Sequence, residues 1–510
     1  MTDSSVSTRP IQKVLVANRG EIAVRVLRTC HERGLDTVAV YSEPDRSAPH
    51  VRRADEAYHI GPAAANKSYL DQEKILNVAR HSGADAIHPG YGFLSENAGF
   101  AEACADAGVH FIGPPPEAIR AMGDKTEARK LMEEAGVPMA PGTTDAVQST
   151  EDGEEIAEEI GYPVLIKAAA GGGGKGMRIV HEPENFAAAM DRAQGEAESS
   201  FGDDRVFIEK YIEEPRHIEF QILADHNGNT LHLFERECSI QRRHQKVIEE
   251  APSSILTPEV RKEMGEAAVA AAESCGYQNA GTVEFLVDKD LNYYFMEMNT
   301  RLQVEHPVSE WVTGVDLVAE QLRVAQGEEL GYTTDDLSIN GHAIESRVYA
   351  EDPASNFLPD PGPLKRHAAP SGAGVRVDAG VEEGGEVLIH YDPMISKLTT
   401  WGRDREHAID RMIRALDEYE VAGMSTTIPF CRFAMKHDGF RDGDFTTHFV
   451  DQEFDPSALQ LEDDERDELA ALAATLYYRR TQEEEAPSIT SMGGNGQAGS
   501  PWRRRRRHTS

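Results

Sequence analysis

The chain has 510 residues, 40% of them hydrophobic, and a formal net charge of −36. It is long enough for roughly two to four packed domains, and its acidity excludes a general nucleic-acid binder, whose phosphate contacts need clustered lysine and arginine. With no apolar run near the roughly 18 residues of a membrane span, no signal peptide core, and five scattered cysteines (Cys30, Cys104, Cys238, Cys275, Cys431) lacking a C-x-x-C pair, the expectation is a cytoplasmic protein with reduced thiols.

"KVLVAN" reads as a buried strand, "RGEIAVRVLRTCHERG" carries helical periodicity and "DTVAVYS" is a second strand, the βαβ opening of a doubly wound sheet. No G-x-G-x-x-G follows the first strand, so a dinucleotide site gains no support. "ADAIHPGYGFLSENAGFAEACADAGVHFIGP" repeats strand, glycine-rich turn, helix and strand, and the first domain, 10–120, closes near the three prolines at 114–116. Residues 121–340 form a larger α+β section. Its lobe at about 137–212 is expected to be β-rich, because "VLIKAAAGGGGKGMRIV" and "RVFIEKYIEEPRHIEFQILAD" alternate apolar and polar residues. The section ends in "TVEFLV", "YYFMEMNTR" and the helical "GVDLVAEQLRVAQG". Residues 342–455 hold several glycine-punctuated strand candidates and read as a further, sheet-rich unit. In 456–510, "LEDDERDELAALAATLYYRR" predicts an amphipathic helix and "TQEEEAPSITSMGGNGQAGSP" a disordered stretch. The arginine run near the C-terminus reads either as a nucleic-acid or membrane patch, or as a solvated tail or the start of a truncated domain. The acid excess is spread along the chain and lysine is scarcer than arginine, which suggests a surface adapted to high salt; an ordinary acidic enzyme is the alternative.

"KAAAGGGGKGMRIV", 167–180, looks like a phosphate loop but is not a Walker A loop. Lys175 is followed by Gly176 rather than Ser or Thr, and the chain runs into a strand instead of a helix. It reads as a glycine turn between two strands, with Lys167 at its base. Lys125 and Lys167 can offer fixed positive charge to nucleotide phosphates, and the glycines Gly172, Gly173 and Gly174 can close over them with backbone N–H groups. Glu284, Glu297 and Asn299 fall on adjacent strands, and such oxygen ligands suit Mg²⁺, which takes one or two carboxylates plus substrate phosphates. In "CSIQRRHQKVIEEAP", alternation along an extended strand puts Gln241 on one face and His244 with Lys246 on the other, both able to reach a transferring phosphoryl group. A basic edge strand is the bland alternative. "RLQVEHPVSE" groups Arg301, Gln303, Val304 and Glu305, a carboxylate beside an arginine, as deprotonating a small oxyacid requires.

These motifs, with "ANRGEIA", "HPGYGFLSEN", "MGDKTEA", "EKYIEEPRHIE", "EMNTRLQVEHPVSE", "ESRVYAEDP" and "YDPMISKL", make the chain resemble biotin carboxylase, an ATP-grasp family, across about 11–455. The resemblance implies an α/β and α+β architecture: a doubly wound pre-ATP-grasp domain, an ATP-grasp domain with a glycine-rich lid, and a sheet-rich C-terminal domain. It implies ATP, Mg²⁺ (or Mn²⁺) and biotin as cofactors. Lys125 and Lys167 would hold the α- and β-phosphates, Glu209, Lys210 and Ile212 line the adenine pocket, and His217 with Gln241 hold the nucleoside. His244 and Lys246 would meet the γ-phosphate, Glu284 and Glu297 bind Mg²⁺, and Asn299 lie near a second ion. Arg301, Gln303 and the backbone of Val304 would bind bicarbonate. Glu305 would deprotonate it for attack on the γ-phosphate, giving carboxyphosphate, and Arg347 would stabilise the biotin enolate. Lys175 stands where many relatives carry Arg. The near match to a biotin attachment motif at Lys436 lies inside the carboxylase C-terminal region, so the expectation is biotin on a separate biotin carboxyl carrier protein. A homodimer and a separate carboxyltransferase subunit complete the expected partners. The alternatives are a carbamoyl-phosphate-type ligase and a non-catalytic protein of carboxylase assembly; "RLQVEHPV" with "ESRVYAEDP" disfavours the first, and the intact set of charged site residues the second.

Overall fold

The computed structural model describes residues 10–143, 145–147, 149–168, 177–459 and 471–479; Gly172, Gly173, Gly174 and Lys175 lie outside the described residues. Residues up to Ala458 form one compact unit.

The unit opens with a five-stranded parallel sheet of β1 (Lys13–Val16), β2 (Asp36–Ser42), β3 (Glu56–Gly61), β4 (Ala86–His88) and β5 (His110–Phe111), in the order β3-β2-β1-β4-β5. Its central strands are buried on both faces, which is why "KVLV" reads as an unbroken apolar run. Leu15, Val38, Ile87 and Phe100 build the core on one side, and the helix Gly20–Glu32 lies on the other with Val26 and Leu27.

The next lobe is a three-stranded antiparallel sheet of β6 (Val164–Ala168), β7 (Met177–Val180) and β8 (Val206–Lys210), ordered β7-β6-β8. It differs from the β-rich expectation. The helices Thr150–Ile160 and Phe186–Phe201 pack on it through Ala157, Phe186, Met190 and Ala193. Their apolar residues recur at helical spacing, a period that the neighbouring strand alternation obscured.

An eight-stranded sheet carries the rest. It contains β9 (Arg216–Ala224), β10 (Thr230–Arg242), β11 (Gln245–Ala251), β12 (Asn279–Val287), β13 (Tyr293–Asn299) and β14 (His342–Tyr349), ordered β13-β12-β9-β10-β11-β14, then Met394–Gly402 and Val375–Ala379. The stretch expected as a separate sheet-rich unit therefore extends this sheet: β14 pairs with β11, Ile248 opposite Ser346 and Glu249 opposite Glu345. It is also partly helical, since Arg405–Glu418 and Ile428–Lys436 bury Ile409, Met412, Phe430 and Met435 against the sheet. Lys436 ends a helix rather than sitting at a hairpin tip.

One local expectation is overturned. Residues 241–246 are not a continuous strand: Arg243 and His244, at φ 48° and 64°, make a two-residue turn between β10 and β11. Two consecutive left-handed residues are what a type I′ hairpin needs. The pairing then sets Gln241 opposite Lys246 and Arg242 opposite Gln245, so Lys246 shares a face with Gln241, and His244 sits exposed at the tip.

No helix among the described residues is long and apolar enough to cross a membrane. Residues 471–479, outside the compact unit, are helical with Leu472 and Leu476 exposed.

Candidate active site

Four neighbouring strands contribute one rung of ionisable side chains. Arg236 of β10 lies opposite Glu219 of β9, Glu219 opposite Glu284 of β12, and Glu284 opposite Glu297 of β13. Directly opposed side chains in adjacent strands are about 5 Å apart, so three successive carboxylates repel unless cations are set among them. Two cations do this, one wholly buried and one largely so. Arg236, wholly buried, donates to Glu219 Oε1 at 2.5 Å, Gln221 Oε1 at 2.7 Å, Ser309 Oγ at 3.0 Å and Thr282 Oγ1 at 3.1 Å. Lys246 Nζ donates to Glu219 Oε2 at 2.5 Å, Glu284 Oε1 at 2.8 Å and Glu305 Oε1 at 2.8 Å, using all three of its protons on carboxylates.

Glu305 is the N-cap residue of the helix His306–Thr313, yet its side chain makes no cap hydrogen bond. The carboxylate instead bridges Lys246 and Arg347, whose Nη2 donates to Glu305 Oε2 at 3.0 Å. Arg347 Nε also lies 2.6 Å from Glu249 Oε1. Beside this junction, Glu284 Oε1 accepts from Asn299 Nδ2 at 2.9 Å and Gln303 Nε2 at 3.0 Å. Arg301 is fixed by Gln303 Oε1 (2.8 Å), Asn299 Oδ1 (3.0 Å) and Glu96 Oε2 (2.9 Å). Lys397 Nζ holds the carbonyl of Val304 at 2.7 Å.

Charge balance decides the protonation states. Burial opposes ionisation of Glu305 and Glu284, but the cations outweigh it. Lys246, Arg347 and Arg236 hold Glu305 far below the usual carboxylate range, and Lys246 with His217 does the same for Glu284. At Glu219 burial prevails over Arg236 and Lys246, and its carboxyl is raised. Burial would deprotonate Lys246, yet its three carboxylates keep it charged. Glu297 is exposed at the surface, but the protein packed around it and the Glu284 carboxylate raise it. With Asn299 beside Glu284, these hard oxygen donors fit Mg²⁺.

The remaining expected residues divide in two. Gln241 Nε2 meets His217 Nδ1 at 2.7 Å, and His217 Nε2 lies 2.9 Å from Glu284 Oε2, which ties the nucleoside candidates to the rung. Lys125 starts the helix Lys125–Glu134, and its ammonium is lowered by burial and by Lys167. Two ammoniums close enough to repel suit a polyanion. Lys167 pairs with Glu209, which also accepts from Arg129. Lys210 Nζ donates to the carbonyls of Gly161 and Tyr162, and Ile212 is half-buried. His244, at the hairpin tip, is exposed to solvent while Lys246 is drawn into the rung. Sequence reasoning missed Glu96, Glu219, Arg236, Glu249 and Lys397. Glu96, Glu219, Glu249 and Lys397 all lie inside the motifs quoted above, without a role assigned to them; Glu219 also stands two residues past His217 on the same strand.

Three family models match in succession: "Biotin carboxylase, N-terminal domain" over 10–119, "Carbamoyl-phosphate synthase L chain, ATP binding domain" over 124–333 and "Biotin carboxylase C-terminal domain" over 345–452. A pyruvate carboxylase subunit from Methanothermobacter thermautotrophicus is 57% identical over 440 residues, 86% of this chain and 89% of that protein. The chain belongs to the biotin carboxylase family. The biotin carboxylase of a Nostoc species is 55% identical over 86% of this chain and 98% of its own length. Among solved structures, the biotin carboxylase domain dimer of Hydrogenobacter thermophilus 2-oxoglutarate carboxylase, in complex with MgADP, ADP and bicarbonate, superposes with a TM-score of 0.85 at 49% identity, covering 89% of this chain and 100% of that one. The biotin carboxylase subunit of a pyruvate carboxylase gives 0.78 at 50% identity, with 89% and 100% covered. The ATP-binding model alone is compatible with a carbamoyl-phosphate-type ligase; the biotin carboxylase models on both sides remove that alternative. As a biotin carboxylase, the chain is an ATP-dependent ligase that carboxylates biotin from bicarbonate, with ATP, Mg²⁺ and biotin as its cofactors.

Proposed function

We propose that the chemistry runs at the junction of Lys246, Glu305 and Arg347, with Glu305 as the base for bicarbonate. The observation that carries this reading is a buried carboxylate gripped from two sides, Lys246 at 2.8 Å and Arg347 at 3.0 Å, while sparing none of itself for its helix cap. Held so, Glu305 is a weak base. Lys246, turning with His244 to the γ-phosphate, and Arg347, turning to the biotin oxyanion, would each leave Glu305 less stabilised as an anion and therefore more basic. Substrate engagement thus arms the base. Arg301, fixed from three sides, Gln303 and the Val304 peptide hold bicarbonate. Lys125 and Lys167 take the α- and β-phosphates, with Glu209, Lys210 and Ile212 at adenine and His217 and Gln241 at the nucleoside. The glycines Gly172, Gly173 and Gly174 close over the phosphates. Glu284, Glu297 and Asn299 hold Mg²⁺, which neutralises phosphate charge when bound. The test is Glu305→Gln, which keeps shape and removes the base: bicarbonate-dependent ATP hydrolysis is lost while ATP binding persists, and wild-type-like turnover would sink the assignment.

The same reading gives the chain a biotin carrier protein and a carboxyltransferase as partners, since the Methanothermobacter relative is by name one subunit of a pyruvate carboxylase. The final acceptor is an acyl-CoA, such as acetyl-CoA or propionyl-CoA, or pyruvate. The Hydrogenobacter domain, described as a dimer, supports a homodimer. Five unpaired cysteines, four of them buried, support a reducing, cytoplasmic setting. The net charge of −36 supports a surface suited to high salt.

A further inference from the structure

We propose that Glu249 and Glu345 form a buried carboxyl pair that shares one proton and positions Arg347 for the biotin-directed step, an inference that rests on the role given to Arg347 above. The register of β11 on β14 sets the two glutamates directly opposite each other. Both are 0% exposed. Arg347, two residues beyond Glu345 on the same strand, reaches Glu249 with Nε at 2.6 Å and Glu305 with Nη2 at 3.0 Å. Its guanidinium is therefore strung between the carboxyl pair and the base.

The hydrogen bonds around the pair leave room for a proton. Glu345 Oε2 accepts from Thr399 Oγ1 at 2.9 Å, but Glu345 Oε1 has no hydrogen-bond partner among the described residues. Neither oxygen of Glu249 has one either, the Arg347 contact being an ion pair without hydrogen-bond alignment. Two carboxylates opposed in this way repel if both are ionised, whereas one proton between them removes the repulsion and supplies the missing donor.

The surrounding charges do not supply that donor. Lys246 and Glu305 face Glu249 with opposite signs, and Lys246 is already committed to three other carboxylates. The Cys238 and Cys431 thiols nearby are pushed up by burial and stay neutral. Lys397 acts on Glu345 electrostatically, but its ammonium contacts the Val304 carbonyl and Glu21. Burial drives both members upward, Glu249 to about 7 and Glu345 to about 8. The two titrate as a unit, not as separate residues.

With one proton the pair carries a single negative charge, and Arg347 divides itself between the pair and Glu305. When the last proton leaves at alkaline pH, the second negative charge draws the guanidinium toward the pair and away from the biotin side. The pair is thus a positioning device for Arg347, and its state is read in the biotin-stimulated reaction, where that guanidinium meets the oxyanion.

The experiment uses the full chain. Infrared difference spectra at neutral pH compare wild type with Glu345→Gln and Glu249→Gln; the C=O stretch of a protonated carboxylic acid is present in wild type and missing from either variant. In parallel, the pH profile of biotin-stimulated phosphate release is recorded. Glu345→Gln, which can never take on the second negative charge, removes the alkaline loss of biotin stimulation that the pair causes in wild type. Should Glu249→Gln fail to fold, Glu345→Gln and Glu345→Asp carry the test, the aspartate retaining an acid band. A wild type without a band that Glu345→Gln removes, or a Glu345→Gln enzyme whose biotin stimulation declines at alkaline pH just as in wild type, overturns the pair. The band is read without turnover, so an Arg347→Lys enzyme with unchanged biotin dependence would refute the role of Arg347 and leave the band in place.

Discussion

Replacing Lys246 with methionine removes the ammonium from three carboxylates at once while keeping much of the side-chain volume. Glu219, Glu284 and Glu305 are 0%, 3% and 0% exposed, so water cannot stand in for the lost donor. Removing one member of a buried ion pair costs about 3–5 kcal/mol. Three charge-assisted hydrogen bonds, at roughly 1.5–3 kcal/mol each, would suggest more. The cost is capped because a carboxyl stripped of its partner takes up a proton instead. From an ordinary value of 4.5, neutralising one carboxyl at pH 7 costs about 3.4 kcal/mol, at 1.36 kcal/mol per pH unit. In wild type, Glu284 and Glu305 are depressed; their contribution is present above pH 4.5 and lost only well below it. In the variant a carboxyl is raised, the folded state binds an extra proton, and stability falls as pH rises. The deficit relative to wild type is therefore about 3–4 kcal/mol at pH 7 and shrinks by about 1.4 kcal/mol for each pH unit of acidification toward 5. Guanidinium unfolding of both proteins at pH 5.5, 7 and 8, followed through the stacked Trp311–Trp401 pair, measures it. A deficit that does not change with pH, or one below about 1 kcal/mol at pH 8, would refute the view of Lys246 as the counter-ion of this site.

Three further outcomes follow from the same geometry. His244→Gly relieves a left-handed residue at the hairpin tip; it leaves stability unchanged or raises it by up to about 1 kcal/mol, while the half-saturating ATP concentration rises. Thermal melts and ATP titration separate the two, and a clear loss of stability would mean that the imidazole itself holds the turn. Glu297→Gln raises the half-saturating Mg²⁺ concentration by roughly 10–100-fold, read by metal titration of nucleotide binding, and unchanged Mg²⁺ dependence would remove Glu297 from the metal set. If the charge of −36 is a salt adaptation, activity and melting temperature both rise from dilute buffer to molar KCl; a maximum in dilute buffer counts against it.

The fold was legible wherever burial imposes a period. β1 and β2 are covered on both faces and read as apolar runs, and β12 and β13 follow one another closely in the chain, so Glu284, Glu297 and Asn299 could be set on adjacent strands from the sequence. Errors came where a local signal was missing or was overridden by neighbours. The turn at Arg243 and His244 contains no glycine, asparagine or aspartate, so nothing in "QRRHQK" marks a type I′ hairpin, and alternation was carried straight through it. The extent of the central sheet was invisible for a different reason. β11 and β14 are far apart in the chain, Gln245–Ala251 against His342–Tyr349, and no local pattern says that one strand's free edge will be taken by the other.

The missed site residues share one physical cause. An ion pair is a property of two strands, not of one, so its members can be found from sequence only if the register between their strands is known. β10 makes that register hard to infer: its pairing with β9 shifts between His232 and Glu235, and its pairing with β11 shifts again between Glu237 and Gln241. Each irregularity changes the count by which side chains are assigned to a face. Arg236 falls between these shifts, and without knowing them its placement opposite Glu219 cannot be derived. The consequence reaches the chemistry. A carboxylate motif such as "RLQVEHPVSE" offers a candidate base, but the ionisation of Glu305 is set by Lys246, Arg347 and Arg236, which arrive from β11, β14 and β10 through pairings the motif does not contain. The candidate for the base is thus legible in one dimension, and its basicity only in three. For that reason the decisive perturbations act on the cations and on the Glu249–Glu345 pair as well as on Glu305 itself.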